Sequence, residues 1–312
     1  MKIKVALSIA LLTCMITLSC YAQNRKTTTE QAHLLPAKDD KVYTGDVKLY
    51  TQKDVDNFGK NGYTFIAGNF HIESPSTDYS EELLDTRPLA SIRMIDGELL
   101  ISRLRNLVSV EGFKNLEQVN GDFTLSGCGL KKIGAIDKLS LIKGSLTIGN
   151  NTGKYGENGL LEIVGFNKLT DVESIYISGN SSVKKIEGFN ALEKINTLQI
   201  MSVGVEEISN FKKLKTVKEN FSVEYASALK KIILEKLESV DGYFALNENN
   251  KINGNIHFPS LKKIKQLYFL SNKNFDNYCD IAPAIRQQKI DSLRTSGNKL
   301  NPTKEQILNH CK

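Results

Sequence analysis

One seven-residue phrase recurs along this 312-residue chain, and its spacing limits the fold more than any other feature. Ile95-Asp96-Gly97-Glu98-Leu99-Leu100-Ile101 returns as Val119-Asn120-Gly121-Asp122-Phe123-Thr124-Leu125. It returns again as Ile142-Lys143-Gly144-Ser145-Leu146-Thr147-Ile148 and as Val240-Asp241-Gly242-Tyr243-Phe244-Ala245-Leu246. Shorter or degenerate versions end at Ile72, Ile177, Ile200, Val223 and Leu270. The closing apolar residues therefore fall at 72, 101, 125, 148, 177, 200, 223, 246 and 270, in steps of 23, 24 or 29. A fixed period of this length marks an architecture of stacked units.

Within a unit the pattern is L-x-x-I, then G-F-x-x-L-x-x-I-x-G, then L-x-I, then a turn rich in Asn and Gly. Residues 107–125 show it in full, and Ile163-Val164-Gly165-Phe166 and Ile186-Glu187-Gly188-Phe189 repeat its middle. The apolar spacing alternates between two and three and lacks the rhythm of an amphipathic helix. Short strands with corners between them satisfy it, one unit making one circuit of a solenoid. A single circuit cannot bury its apolar face. Stacked circuits form a continuous core and pair their backbone groups from coil to coil. The presence of only 6 prolines agrees, because a central strand cannot spare its N–H. Asn150, Asn180, Asn249 and Asn272 are expected at corners that need turn or left-handed geometry. The fold class expected is an all-β-dominated solenoid of about nine coils of 23–24 residues.

The ends read as caps that hide the edge strands. Thr51 is placed to cap a short helix with Asp54 at its third position. Residues 281–293 are helical in pattern, and Pro302 starts a second short helix. Cys279 and Cys311 flank this segment, and their pairing would staple it. Cys128 is expected to point into the stack as a small apolar residue. The divisions that follow are 1–22 as a signal peptide and 23–45 as a flexible spacer. Residues 46–275 form the solenoid with its N-terminal helical cap, and 276–312 the C-terminal cap.

The repeated I-x-G-x-L-x-I with G-F-x-x-L between resembles the receptor L-domain, over residues 47–275. The resemblance implies a leucine-rich-repeat-like, right-handed parallel β-helix of the kind that binds ligands in insulin-receptor and epidermal-growth-factor-receptor ectodomains. Secreted bacterial proteins also carry it. This chain departs from the pattern by six extra residues in two coils, placed in loops at 75–87 and 150–159. It also lacks one residue in each of the strands at 172–177 and 195–200.

Lys2 and Lys4 precede an apolar run from Val5 to Leu18 and a small-residue exit, the form of a secretory signal peptide. The run is short of the roughly twenty residues that a permanent transmembrane helix needs. Two exits fit. Cys20-Tyr21-Ala22 before Gln23 has the form of an ordinary signal-peptidase site. Leu18-Ser19-Cys20 has that of a bacterial lipoprotein box, which would make Cys20 the lipidated first residue. Either way the expected location is outside the cytoplasm, secreted or at the outer envelope surface of a Gram-negative bacterium, with a lipid anchor as the sole membrane attachment. Removing residues 1–22 takes away Lys2 and Lys4 and moves the formal charge from +6 to +4. An oxidising compartment favours a disulfide among Cys128, Cys279 and Cys311, with one cysteine left over.

Catalytic signatures are sparse. His33, His71, His257 and His310 are scattered, no cysteine pair has zinc spacing, and no G-x-S-x-G elbow occurs. No metal or cofactor is expected. Gly149-Asn150-Asn151-Thr152-Gly153-Lys154-Tyr155 is one residue short of a phosphate loop and has tyrosine where a magnesium-binding hydroxyl belongs. Glu98 and Asp122 would stack in neighbouring coils, and these are the carboxylates on which a polysaccharide-active β-helix enzyme would draw. Lys131-Lys132, Lys184-Lys185 and Lys230-Lys231 alternate with Leu161-Glu162 and Glu206-Glu207. That order predicts a mixed ladder of charges, with no continuous basic track for nucleic acid.

What remains is the outward face, where Leu100, Tyr176, Met201, Tyr243 and Phe269 are expected to project as a ligand surface for a protein or a glycan. The sequence thus predicts a non-enzymatic binding or adhesion protein. A glycan-active enzyme and a structural envelope component are the alternatives.

Overall fold

Every described strand finds its backbone partner one coil away, which is how a repeat too short to close a core of its own becomes stable. The computed structural model describes residues 35–74, 85–152, 159–287 and 290–311. All described elements fall in the unit Leu34–Lys312. Residues 1–34, on which the expected signal peptide, Cys20, His33 and most of the expected spacer fall, lie outside the described residues. The fold is a parallel β-solenoid of about ten turns. One 17-stranded sheet carries two sides of the coil, and two 3-stranded sheets form a further side.

The expected closing residues stack in register. Ile72 pairs with Ile101, Ile101 with Leu125, Leu125 with Ile148 and Ile148 with Ile177. The column continues through Ile200, Val223 and Leu246. Leu246 then pairs with Phe269, which corrects the expected Leu270. The cause is a third shortened strand. Between Val240 and Tyr243 the register shifts as it does between Ile142 and Ser145, so 264–269 lacks a residue just as 172–177 does. Because side chains alternate with period two, the slip turns Phe269 into the core and Tyr268 outward.

Two further rungs lie beyond the nine expected. Val47–Leu49 pairs with Phe70–Ile72 at one end, and Ser292–Ser296 pairs with Gln266–Leu270 at the other. Val42–Thr44 also pairs with Phe65–Ala67, so the solenoid begins inside the stretch assigned to the spacer. The helix α1 (Gln52–Gly59) has the expected capping box, with Asp54 N–H donating to Thr51 Oγ1 at 3.2 Å and Thr51 N–H to Asp54 Oδ2 at 2.9 Å. It follows the first rung, however, and so belongs to the first coil, where Val55 is buried and Phe58 packs edge-on to Phe70.

At the other end α2 (Ala282–Gln287) is shorter than the helix expected over 281–293, and 292–296 is a strand. A six-residue helix is marginal by itself. The open edge of Gln266–Leu270 offers five residues of this segment a backbone partner, and pairing wins. The last helix, α3 (Lys304–His310), starts at a second capping box, formed by Thr303 and Gln306. Cys279 and Cys311 are bonded, as expected, and close this segment onto the last coils. Burial pushes the Tyr278 hydroxyl up; it donates to Leu300 O at 2.8 Å beneath the cap.

Two columns of residues define the corners. The first is left-handed in every coil from Arg103 onward: Gly127, Asn150, Gly179, Ser202 and Tyr225, then Glu248, Ser271 and Gly297, all with positive φ. The residue after each of these points inward, and at five of these positions it is a buried asparagine: Asn151, Asn180, Asn249, Asn272 and Asn298. Asn150 has the left-handed geometry expected of it, whereas Asn180, Asn249 and Asn272 are one residue further on. They form a buried ladder. Asn272 Oδ1 accepts the Asn249 N–H at 2.9 Å, while its Nδ2 donates to Leu246 O at 2.7 Å. Asn298 repeats this on Asn272 N–H and Phe269 O. Asn249 and Asn180 do the same for Ala226 and Asn151. Cys128 occupies this column, buried and unbonded as a disulfide, its N–H donating to Asn151 Oδ1 at 3.0 Å.

The G-F phrase has its own geometric cause. Gly188 has φ +101, and a Cβ there would strike the Gly165 carbonyl oxygen. Close backbone stacking brings Phe166, Phe189 and Phe211 face to face, with ring centroids 5.0 and 5.3 Å apart.

Candidate functional site: the outward face of the long sheet

Each side of a coil has a different electrostatic character. On the small sheets Glu162 pairs in register with Lys132 and Lys185, and Glu207 with Lys231. The expected mixed ladder is realised as ion pairs, Lys132 Nζ to Glu162 Oε2 at 3.1 Å and Lys230 Nζ to Glu206 Oε2 at 2.8 Å. The hydrogen bond from Lys230, aided by its charge, holds the Glu206 carboxyl below its ordinary range. Such exposed pairs contribute little to stability. Their effect here is to neutralise what would otherwise be a basic track.

Of the two carboxylates singled out for chemistry, Asp122 serves the backbone. Asp122 Oδ1 accepts the Ser145 N–H at 2.8 Å, one coil on. The same bond recurs from Asn69 N–H to Asp46, from Glu98 N–H to Asn69, and from Tyr243 N–H to Asn220. Asp46, Asn69, Asp122 and Asn220 thus hold the start of the next coil's strand by one recurring bond, while Glu98 and Tyr243 stand at the same place in their coils as its donors. Glu98 pairs with His71 Nε2, and Asp96 Oδ1 accepts Asn120 Nδ2 at 2.7 Å. His257 faces Asp280 near the last coils, and His310 lies at the end of α3, so the described histidines are not brought together, and His33 lies outside the described residues. Among the described residues no group of three His, Cys, Asp or Glu side chains is placed to hold a metal. The phosphate-loop look-alike is described only as far as Thr152, at a corner, and Gly153 to Tyr155 lie outside the described residues. A shallow hollow between α3 and the last coil is lined by Asp276, Tyr278, Gln306 and His310, with Asp276 held by Lys299 Nζ at 2.7 Å.

The outward face of the long sheet differs from all of this. Its middle row, read by register, runs Thr147, Tyr176, Gln199, Ser222, Ala245 and Tyr268. The row two residues before it runs Ser145, Ser174, Thr197, Asn220, Tyr243 and Gln266. The row two residues after it runs Gly149, Ser178, Met201, Glu224, Asn247 and Leu270. Charged residues make up 24% of the chain, yet Glu224 is the single charge in these three rows. It accepts Asn247 Nδ2 at 3.2 Å. Acidic and basic groups return only at the ends of the face, at Asp46, Lys48, His71, Glu73, Glu98 and Asp122 on one side and Arg294 on the other.

Three of the expected ligand-face residues, Tyr176, Met201 and Tyr243, lie in this neutral strip and are half-buried. Leu100 also projects outward, but three rungs from Tyr176 and beside the charged end. Phe269 does not project; it is 0% exposed and packs on Phe244, Phe275 and Tyr278. Tyr268 holds the outward place instead. Its ring centroid is 6.3 Å from that of Tyr243, and Arg294 lies 5.8 Å over its other side. The Tyr268 hydroxyl donates to Gln266 Oε1 at 2.8 Å. The floor of the strip holds two buried polar atoms without a hydrogen-bond partner among the described residues, Ser222 Oγ and Asn247 Oδ1. Counting the missing residue in 264–269 would have found Tyr268 from sequence; the neutrality of the strip needs the register of every coil.

The chain matches no family model, no curated protein and no solved structure.

Proposed function

We propose that this chain is an exported, non-enzymatic binding protein that presents the neutral strip of its long sheet to a ligand at the cell surface. One observation carries the reading: a charge-depleted, tyrosine-bearing face on a chain whose other sides are laced with ion pairs. Charge depletion with aromatic residues distinguishes the centre of a recognition surface from ordinary solvated surface. Rigid rungs below it mean that little ordering is lost on binding. The receptor-L-domain resemblance gains support from the corner column, since L-x-I-x-x-N/C, as in Phe123 to Cys128 and Ile175 to Asn180, follows the leucine-rich-repeat pattern. The use of Asp122 as an acceptor for the Ser145 N–H and of Glu98 as the partner of His71 speaks against an enzyme built on these stacked carboxylates.

The test is retention of the labelled chain on intact envelopes of its host. Saturable retention, weakened at least tenfold by Tyr243→Ala with Tyr268→Ala at an unchanged melting temperature, is the expected result. Equal retention of wild type and variant would overturn the reading. Metabolic palmitate labelling separates the two exits of the leader: incorporation lost in Cys20→Ala places the protein on a lipid anchor, and its absence favours cleavage after Ala22.

A further inference from the structure

We infer that the ligand of the strip is an uncharged polysaccharide, laid across the strands between Tyr176 and Tyr268. The inference rests on the reading of this face as the binding face and adds the chemistry of what it holds.

Neutrality is the first argument. An acidic glycan or a nucleic acid calls for cations along its track, and the strip has none between Thr147 and Tyr268. A protein partner calls for a largely apolar centre with arginine enriched and serine depleted. Here ten of the eighteen row positions are serine, threonine, asparagine or glutamine. Apart from the buried Ser174, Thr197 and Ser222 these are half-buried at the surface, one or more in each coil, as side chains that both donate and accept and so match hydroxyl groups of a sugar.

The second argument is shape and spacing. Successive rungs are about 4.8 Å apart, close to the length of one pyranose ring in an extended chain. A polymer running along the solenoid would therefore meet a hydroxyl or amide side chain once per sugar. The paired rings of Tyr243 and Tyr268 offer amphipathic faces for the C–H side of a pyranose. The third argument is the floor: Ser222 Oγ and Asn247 Oδ1 lack protein partners, and buried atoms of this kind favour an incoming hydroxyl.

Affinity electrophoresis of the full chain, expressed with its own leader, tests the assignment. Gels would carry neutral polymers (a mixed-linkage β-glucan, a mannan, a xylan) or acidic ones (alginate, polygalacturonate). The expected result is retardation by at least one neutral polymer, with the dissociation constant raised at least tenfold by Tyr243→Ala with Tyr268→Ala. Gln199→Lys, a single substitution at a half-buried outward position, keeps the test valid if the double variant misfolds, and the same loss is expected of it. No retardation in any neutral gel, retardation by acidic polymers alone, or variants that migrate as wild type would each overturn the inference. Should every neutral polymer fail while the strip variants still abolish envelope retention, the polysaccharide falls and the binding face stands. Should both fail, both readings fall.

Discussion

At the scale of single residues, buried asparagines carry more of the fold than their polarity advertises. Replacing Asn272 by Ala leaves the Asn249 N–H and the Leu246 carbonyl buried and unpaired. Each orphan costs about 1–3 kcal/mol, so Asn272→Ala should lose roughly 3 kcal/mol of stability by urea melting. Asn250→Ala, at the neighbouring half-buried corner position, should change it by under about 0.5 kcal/mol. An acid-sensitive contact lies at the start of α1. Burial raises the Asp54 carboxyl, but N–H donation from Tyr50 and Thr51 and the Thr51 hydroxyl outweigh it and hold the group below its ordinary 3.8. A depressed carboxyl stabilises the fold above its unfolded-state value and loses that contribution as pH falls through the folded one. The melting-temperature advantage of wild type over Asp54→Ala should therefore be full at pH 6 and shrink below about pH 3.8.

At the scale of elements, what the sequence made legible was whatever repeats. The G-x-L-x-I strands follow from the repeat; the capping box of α1 and the Cys279–Cys311 bond occur once each and were legible from residue type alone. The strand Ser292–Ser296 was hidden because it has no repeat of its own, with Thr295 standing where other coils have Ile, Leu, Val or Phe. Its strand character comes from the open edge beside it, a tertiary cause that local pattern does not contain. The inward turn of Phe269 was hidden by a single absent residue, which moves every later side chain to the other face. The disulfide spans 32 residues across α2, this strand and α3. Loop closure of that size is worth about 3–4 kcal/mol. Reduction, or Cys279→Ser with Cys311→Ser, should lower the melting temperature and raise amide exchange over 276–311 first, leaving the coils before it protected.

At the scale of the whole solenoid, stability is a sum of nearest-neighbour terms, so it can be uneven along the stack. The asparagine column is interrupted at Val203 and Ala226, which divides it into a block at Asn151–Asn180 and another at Asn249–Asn298. The coils around the interruption should show the fastest amide exchange of the central stack, measured under native conditions. Val203→Asn, which offers an acceptor to the Asn180 N–H and a donor to the Ile177 carbonyl, should reduce that exchange and raise the melting temperature. A fall in both protection and melting temperature would show that apolar packing at Val203 outweighs the missing rung.

The left-handed corner has a last consequence, for how such a chain can change. One six-residue excess follows the left-handed Asn150 and the other follows Ser74 at the equivalent place in its coil, yet Ile148 still faces Ile177 and Ile72 still faces Ile101 across them. Added length there never reaches the rungs, since the turn that precedes it and the strand that follows are each fixed by the coil next door. The corner is thus a docking port for foreign sequence, and a lineage could acquire new loops beside a constant surface without refolding the scaffold that carries it.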